Sequence, residues 1–288
     1  MEFAQARTVD YQIFLRDLLM HGNKCKLENL NTFGQPLSCW TVAKIRRLLI
    51  SAGKWAVREG IIDRNYAEDT ESIPIAKTNT SVFSIENQRD FLRYTRHHRH
   101  YVAYVLFFMT GCRRGEILGL SWNNVNRRQS YIIIDQTLVM ENGVPVLKKK
   151  HAKPEKSLRS IPIPKDVRLL FQEVEQRQKE EKKTVPNWKN PDNLVFTNPN
   201  GSPVNPSYFS RNFKDAAKRV GLPADIHLHC TRHTWATDMI QCGAPISDIQ
   251  ALGGWTTPDM LLSIYSHTVQ DSHRKAISKL YKMVKIME

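Results

Sequence analysis

Residues 131–147 read YIIIDQTLVMENGVPVL. Residues 131–141 form a strand-like run rich in β-branched side chains. Asn142-Gly143 is a strong hairpin signal, because both residues tolerate the positive φ that a tight two-residue turn demands, and Val144-Pro-Val-Leu147 is the returning strand. Residues 157–164, SLRSIPIP, alternate and are expected to add a third strand. Around this small sheet the chain reads as helix. Residues 9–21 place apolar side chains three and four apart, and residues 40–57 repeat Val42, Ile45, Leu48, Leu49 and Ala52 at helical spacing behind Ser38 as N-cap. Residues 87–109 read as a helix rich in Arg and His, 166–183 as a charged amphipathic helix, and 271–286 as a tail helix carrying Ile277, Leu280, Met283 and Val284. The expected fold class is mainly α with a small antiparallel β-sheet.

Residues 71–84, ESIPIAKTNTSVFS, hold proline and small polar residues without a period and read as a linker. They divide the chain into a helical domain over 1–75, a linker centred on 76–84, and a mixed α+β domain over 85–288. A length of 288 residues suits two domains better than one. The longest uninterrupted apolar run, residues 101–109, has nine residues. A bilayer-crossing helix needs about 20, so no membrane partner is expected. Five scattered cysteines (Cys25, Cys39, Cys112, Cys230, Cys242) outline neither a disulfide framework nor a CxxC metal pair. With no basic and apolar leader at the N-terminus, they point to a reduced, cytoplasmic setting.

The 42 Lys and Arg against 28 Asp and Glu give a net charge of +14, which draws polyanions. Through Thr80 the excess is only +2, so +12 falls on the second domain.

Four clusters there are able to carry chemistry, and each has a plainer alternative. In Thr110-Gly-Cys-Arg-Arg-Gly-Glu116, Arg113 opens a new helix, where a guanidinium and helix N–H groups both donate to phosphate oxygens, and Glu116 is spaced to hold it. The fragment alone reads more readily as a surface ion pair at a helix start. Lys148, Lys149, Lys150, Lys153, Lys156 and Arg159 form a basic stretch across the hairpin that is either a solvated face or a source of protons and phosphate contacts. His227-Leu-His229-Cys-Thr-Arg232-His233 offers an HxHxxxH metal pattern, or a proton-transfer His229 beside a phosphate-clamping Arg232, or histidines satisfied by packing. Trp255 after Leu252-Gly-Gly, and Tyr265 ten residues later, are either packing aromatics or site residues.

Taken in order, these residues resemble the tyrosine recombinase (phage integrase) family. The family carries an arginine in a TGxRxxE-like segment, a lysine in a β-hairpin within KTxxSxRxIP, an HxxR pair, a His or Trp after Leu-Gly, and a nucleophilic tyrosine nine or ten residues later. The slots are filled by Arg113, Lys153, His229 with Arg232, Trp255 and Tyr265. Residues 153–162 keep the register of the hairpin motif with proline in place of threonine, and Lys150 and Lys156 are the fallback lysines. The resemblance implies a helical core-binding domain followed by a mixed α+β catalytic domain. It implies cleavage and rejoining of DNA strands through a 3′-phosphotyrosine on Tyr265, with Arg113 and Arg232 on the phosphate, His229 as base, Lys153 as acid and Trp255 as a hydrogen-bond donor to the phosphate. Glu116 and His233 are supporting residues. Lys44, Arg47, Lys150, Lys156 and Arg159 are the expected DNA contacts. No cofactor, metal or ATP is implied. The implied partners are double-stranded attachment or crossover sites, three further copies of the chain on two duplexes, and accessory excisionase or DNA-bending proteins. A type IB topoisomerase, a non-catalytic DNA-binding protein and a metal-dependent nuclease are the competing readings.

Overall fold

The computed structural model describes residues 5–22, 34–75, 81–149, 158–258 and 261–262. The chain divides into two compact units, Met1–Asn79 and Thr80–Glu288.

In the first unit, α1 (Thr8–His21) packs on α2 (Cys39–Arg58) through Leu15, Leu18 and Val42, with Ile45 and Leu49 alongside. The Ser38 hydroxyl accepts the Thr41 amide at 3.2 Å, the N-cap that its position before the apolar stripe predicts. Arg46, on α2, donates to Thr70 Oγ1 at 2.9 Å and to the Thr70 carbonyl at 2.6 Å, binding the segment after the helix back onto it.

The second unit is built around α4 (Tyr101–Thr110), which contains the long apolar run. Eight of its ten residues are buried, as expected of a helix apolar on every side. Its Tyr104 and Phe108 pack with Phe83, Phe91, Phe209 and Phe213, mostly edge to face. Phe83 is only 3% exposed, and its amide donates to Thr234 Oγ1 at 2.9 Å, so this end of the expected linker is part of the core; residues 76–80 lie outside the described residues. The helix expected over 87–109 is two helices, α3 (Ile85–Tyr94) and α4. Thr95 Oγ1 donates back to the Phe91 carbonyl at 2.8 Å at the end of α3, and a turn through His97–His100 follows. A short helix, α5 (Arg114–Leu118), leads into the sheets, and α6 (Lys165–Thr184), α7 (Pro206–Arg219), α8 (Cys230–Gln241) and α9 (Ile246–Gly253) follow them.

The strand expected over 131–141 is also two. β1 (Val125–Asn126), β2 (Tyr131–Ile134) and β5 (Arg159–Pro162) form one antiparallel sheet in the order β1-β2-β5, whereas β3 (Gln136–Glu141) and β4 (Val144–Lys149) form a separate hairpin. The chain changes sheet at Asp135, whose carboxylate accepts the Asn124 side-chain amide at 2.6 Å. Ile132, Ile134 and Leu138 are all buried, so the period of two runs in phase across the break and conceals it. Asn142 and Gly143 take positive φ in the hairpin turn, as their identity predicts. No helix among the described residues is long and apolar enough to cross a membrane.

Candidate active site

Helix α4 delivers the chain to the site and stops at Gly111, which adopts φ +59. A Cβ there would overlap the Trp235 ring on α8, so both the backbone and the neighbour require glycine. Two residues on, Arg113 caps α5. Its amide donates to Glu116 Oε2 at 2.8 Å, its Nη1 to Glu116 Oε1 at 3.2 Å, and its Nη2 to the Gly254 carbonyl at 3.0 Å. The side chain remains about half exposed (49%), while Glu116 is buried.

Arg232 enters from the first turn of α8 and is 2% exposed. Its Nη1 donates to the Gly111 carbonyl at 2.6 Å and the Gly253 carbonyl at 2.7 Å, and its guanidinium carbon lies 3.7 Å from the centre of the Trp255 ring. Trp255 in turn stacks on Trp235, with ring centroids 6.0 Å apart. The Nη2 of Arg232 is buried without a hydrogen-bond partner among the described residues. Burial, then the Arg113 guanidinium, draws the Arg232 pKa down to about 9, which leaves it a cation at neutral pH. A buried cation with an unspent donor is costly unless an anion arrives.

His229 stands at the N-terminal end of α8 and is exposed, with the His233 ring edge-on at 4.9 Å one turn along. Desolvation, followed by His233 and Arg232, lowers its pKa to about 4. The imidazole is therefore neutral at pH 7 and able to accept a proton. His233 is buried and its pKa is lowered too, first by burial. The Nδ1 of His227 is engaged locally, 2.9 Å from the Asp225 carbonyl and 3.1 Å from Cys230 Sγ. Among the described residues no three His, Cys, Asp or Glu side chains gather as a metal site, so the HxHxxxH pattern has no geometric counterpart there.

Arg159 departs from its expected role. Instead of facing solvent as a DNA contact, it points inward from the start of β5, and its side chain is 8% exposed. Its Nη2 and Nη1 donate to the two Glu116 carboxylate oxygens at 2.6 and 3.2 Å. A guanidinium this deep needs a fixed counter-charge, and Glu116 supplies it. Lys44 and Arg47 are exposed on α2, with the Lys44 ammonium 3.5 Å from the centre of the Trp40 ring. Lys150, Lys153, Lys156, Tyr265 and the tail helix over 271–286 lie outside the described residues.

Beside His229 and Arg232 opens a cavity of about 520 Å³ rimmed by Arg114, Arg211 and Lys214. Arg114 Nη1 donates to Ser210 Oγ at 2.8 Å, joining α5 to α7. Sequence reasoning misses these rim residues. Arg211 and Lys214 share a face of α7 at a spacing of three, but a basic pair on an amphipathic helix is a common surface pattern and carries no distinguishing signal by itself.

The site thus brings Arg113 and Arg159 onto one buried carboxylate, with Arg232 stacked on Trp255 and tied beside Arg113 through Gly253-Gly254, and neutral His229 one turn from Arg232 on α8. The sequence profile of the phage integrase family matches residues 84–272. The chain belongs to the phage integrase family, the tyrosine recombinases. This family member is 26% identical over 264 residues to a XerC-like tyrosine recombinase of Caldanaerobacter subterraneus subsp. tengcongensis, covering 86% of this chain and 67% of that protein. It is 23% identical over 227 residues to the ICEBs1 integrase of Bacillus subtilis, covering 78% of this chain and 61% of that one. The chain therefore spans about two thirds or less of the length of these relatives. In fold it is similar to the Tn1549 transposon integrase solved in complex with transposon right end DNA, with a TM-score of 0.78 at 21% identity over 97% of this chain and 87% of the other. It is also similar to the XerH site-specific recombinase bound to its difH substrate, with a TM-score of 0.64 at 18% identity over 96% of this chain and 73% of the other.

Proposed function

We propose that the chain is a site-specific DNA recombinase of a mobile element, acting through a 3′-phosphotyrosine on Tyr265. One observation carries the reading: Arg113 and Arg232 are tied to the consecutive carbonyls of Gly254 and Gly253. Two guanidiniums held together by their backbone suit the non-bridging oxygens of one phosphodiester. They neutralise its charge before an oxygen nucleophile approaches and stabilise the pentacoordinate transition state. Tyr265 Oη then attacks phosphorus, the P–O5′ bond breaks, and DNA is joined to the enzyme through its 3′-phosphate. The phenol, with an ordinary pKa near 10, gives its proton to His229, and the departing 5′-oxygen takes one from Lys153. Attack by a partner strand's 5′-hydroxyl reverses the step. Bond energy is kept in the ester, and the arginines supply the neutralisation, so the step as written calls for neither ATP nor metal.

Trp255 holds the Arg232 plane by stacking, and its indole N–H is assigned to the phosphate. The cationic cavity rim receives the adjoining backbone phosphate, and Lys44 and Arg47 take the same role from residues 1–75 as a core-binding domain. The second unit, Thr80–Glu288, is the catalytic domain. Four protomers on two duplexes, with accessory DNA-bending or excisionase proteins in the cytoplasm, complete the reading. The test is incubation with nicked substrate DNA in EDTA. Wild type is expected to yield a covalent protein–DNA adduct and Tyr265→Phe none; cleavage that disappears in EDTA would overturn the proposal in favour of a metal nuclease.

A further inference from the structure

Arg159 is the cation of the site whose side chain is closed off from solvent by a bidentate ion pair, and its partners suggest what it is for. Glu116 is 2% exposed and fixed on α5, where it also accepts the Arg113 amide. Such a carboxylate attracts any guanidinium within reach, and Arg113 is within reach. Arg159 is the stronger partner: its two terminal nitrogens meet both carboxylate oxygens, at 2.6 and 3.2 Å, whereas Arg113 makes one side-chain contact at 3.2 Å. Bidentate, buried pairing is the tighter of the two. The outcome is visible in exposure, since the Arg113 side chain is about half open while that of Arg159 is closed off.

Arg159 also shapes the other anchor of Arg113. Gly254, whose carbonyl holds Arg113 Nη2, has φ +67, and a Cβ there would lie 2.7 Å from Arg159 Nη1. The backbone carrying that carbonyl is thus packed against the Arg159 guanidinium. One side chain governs both groups that place Arg113.

We infer that Arg159 is a positioning residue for strand cleavage, which occupies the Glu116 carboxylate so that Arg113 stays available to the scissile phosphate. The inference rests on the recombinase reading above and adds to it a role for a residue that touches no DNA. Without Arg159, Glu116 closes on Arg113, and the site loses phosphate-binding charge while still containing every reacting group. The competing role, a direct phosphate contact, makes opposite predictions: loss of DNA affinity and a salt dependence shallower by about one counter-ion.

The experiment compares full-length wild type, Arg159→Met, Arg159→Lys, Glu116→Gln and the double variant Arg159→Met/Glu116→Gln on nicked substrate DNA. It measures DNA Kd at several salt concentrations and the single-turnover rate of adduct formation at saturating DNA, with thermal melts to confirm folding. Arg159→Met is expected to bind DNA within about twofold of wild type with an unchanged salt slope. Its adduct rate is expected to fall by about 100-fold, the scale of losing one preorganised transition-state donor. Arg159→Lys, which keeps the charge without the fork, is expected to fall between the two.

The decisive arm is the double variant. Glu116→Gln keeps an oxygen that accepts the Arg113 amide but removes the charge that would capture its guanidinium, so the double variant is expected to be faster than Arg159→Met alone, by about tenfold. A merely structural role makes it slower. The inference is overturned if Arg159→Met forms adduct at the wild-type rate, if its salt slope drops, or if the double variant is slower than the single. If Arg159→Met does not fold, an Arg159→Lys variant with wild-type adduct kinetics overturns it as well. Failure of the recombinase reading is distinguishable, because wild type itself would then form no Tyr265-linked adduct.

Discussion

Arg113 and Arg232 donate to consecutive backbone carbonyls, Gly254 and Gly253, although they lie 119 positions apart in the chain and enter from different helices. The Gly253-Gly254 corner at the end of α9 is what joins them. Each glycine is required by a neighbour: a Cβ at 253 would overlap the Trp255 ring, and one at 254 would press on Arg159.

The first prediction concerns the buried arginine. Arg232→Lys keeps the charge but replaces a planar fork stacked on Trp255 with a single ammonium that cannot hold two carbonyls and a phosphate together. Adduct formation on nicked DNA should slow by at least about 100-fold, with most of the loss in the rate and little in DNA Kd. An unaltered rate would remove Arg232 from the reacting centre.

A second prediction concerns pH. An ordinary histidine base, with a pKa of about 6.5, would halve the rate at that pH. His229 is held down to about 4, first by partial desolvation of its ring and then by its neighbours His233 and Arg232. Its neutral, proton-accepting form therefore persists from pH 8 to about 5, and the rate limb that depends on it should fall only as pH drops through about 4. His229→Gln should lose about 100-fold at pH 7 together with that acid limb. A pH–rate profile of single-turnover cleavage reads both.

The cavity rim tests the DNA track separately from the chemistry. Arg211→Gln and Lys214→Gln should each weaken DNA binding and lower the slope of log Kd against log salt by about one. At saturating DNA the adduct rate should stay at the wild-type value. Arg159 is expected to show the reverse pattern, so the same titrations separate contact from positioning.

Acid stability offers a check within the fold. His100 is 4% exposed, its Nδ1 has no hydrogen-bond partner among the described residues, and its ring lies 5.3 Å from that of Phe209. Burial, followed by the charges of His98 and Arg99, lowers its pKa to about 3. The fold thus favours the neutral ring, and the stability this confers is complete above the unfolded value of about 6.5 and is lost as pH falls from there towards 3. His100→Phe should flatten the decline in Tm over that window while leaving Tm at pH 8 within a few degrees of wild type.

Glycine 111 is the last test. Gly111→Ala places a Cβ against the Trp235 ring at φ +59. The backbone strain alone costs of the order of 1–3 kcal/mol, so Tm should fall by several degrees, and the displaced Gly111 carbonyl should take Arg232 and cleavage with it. Differential scanning calorimetry and the adduct assay measure the two effects.

Much of this molecule is legible from local pattern. Helices α1, α2 and α6 follow their apolar spacing to within a residue or two, and Ser38 and Asn142-Gly143 mark a cap and a turn because their chemistry acts on atoms a few residues away. The order and spacing of the slots at 113, 229, 232, 255 and 265 point to one family, since several fixed chemical types in sequence seldom arise together. What stays hidden depends on partners distant in the chain. The sheet change at Asp135 is masked by a period that runs through it, and the split between α3 and α4 by the lack of any Gly or Pro between residues 87 and 109. The inward turn of Arg159 is the sharpest case. In sequence it is one cation in a basic run, and although it falls on the arginine of the KTxxSxRxIP-like motif, nothing local says whether it faces solvent or the interior. Its position is decided by Glu116, 43 residues earlier, because a buried carboxylate that meets both terminal nitrogens offsets the cost of taking this guanidinium out of water, and only the folded chain brings the two together.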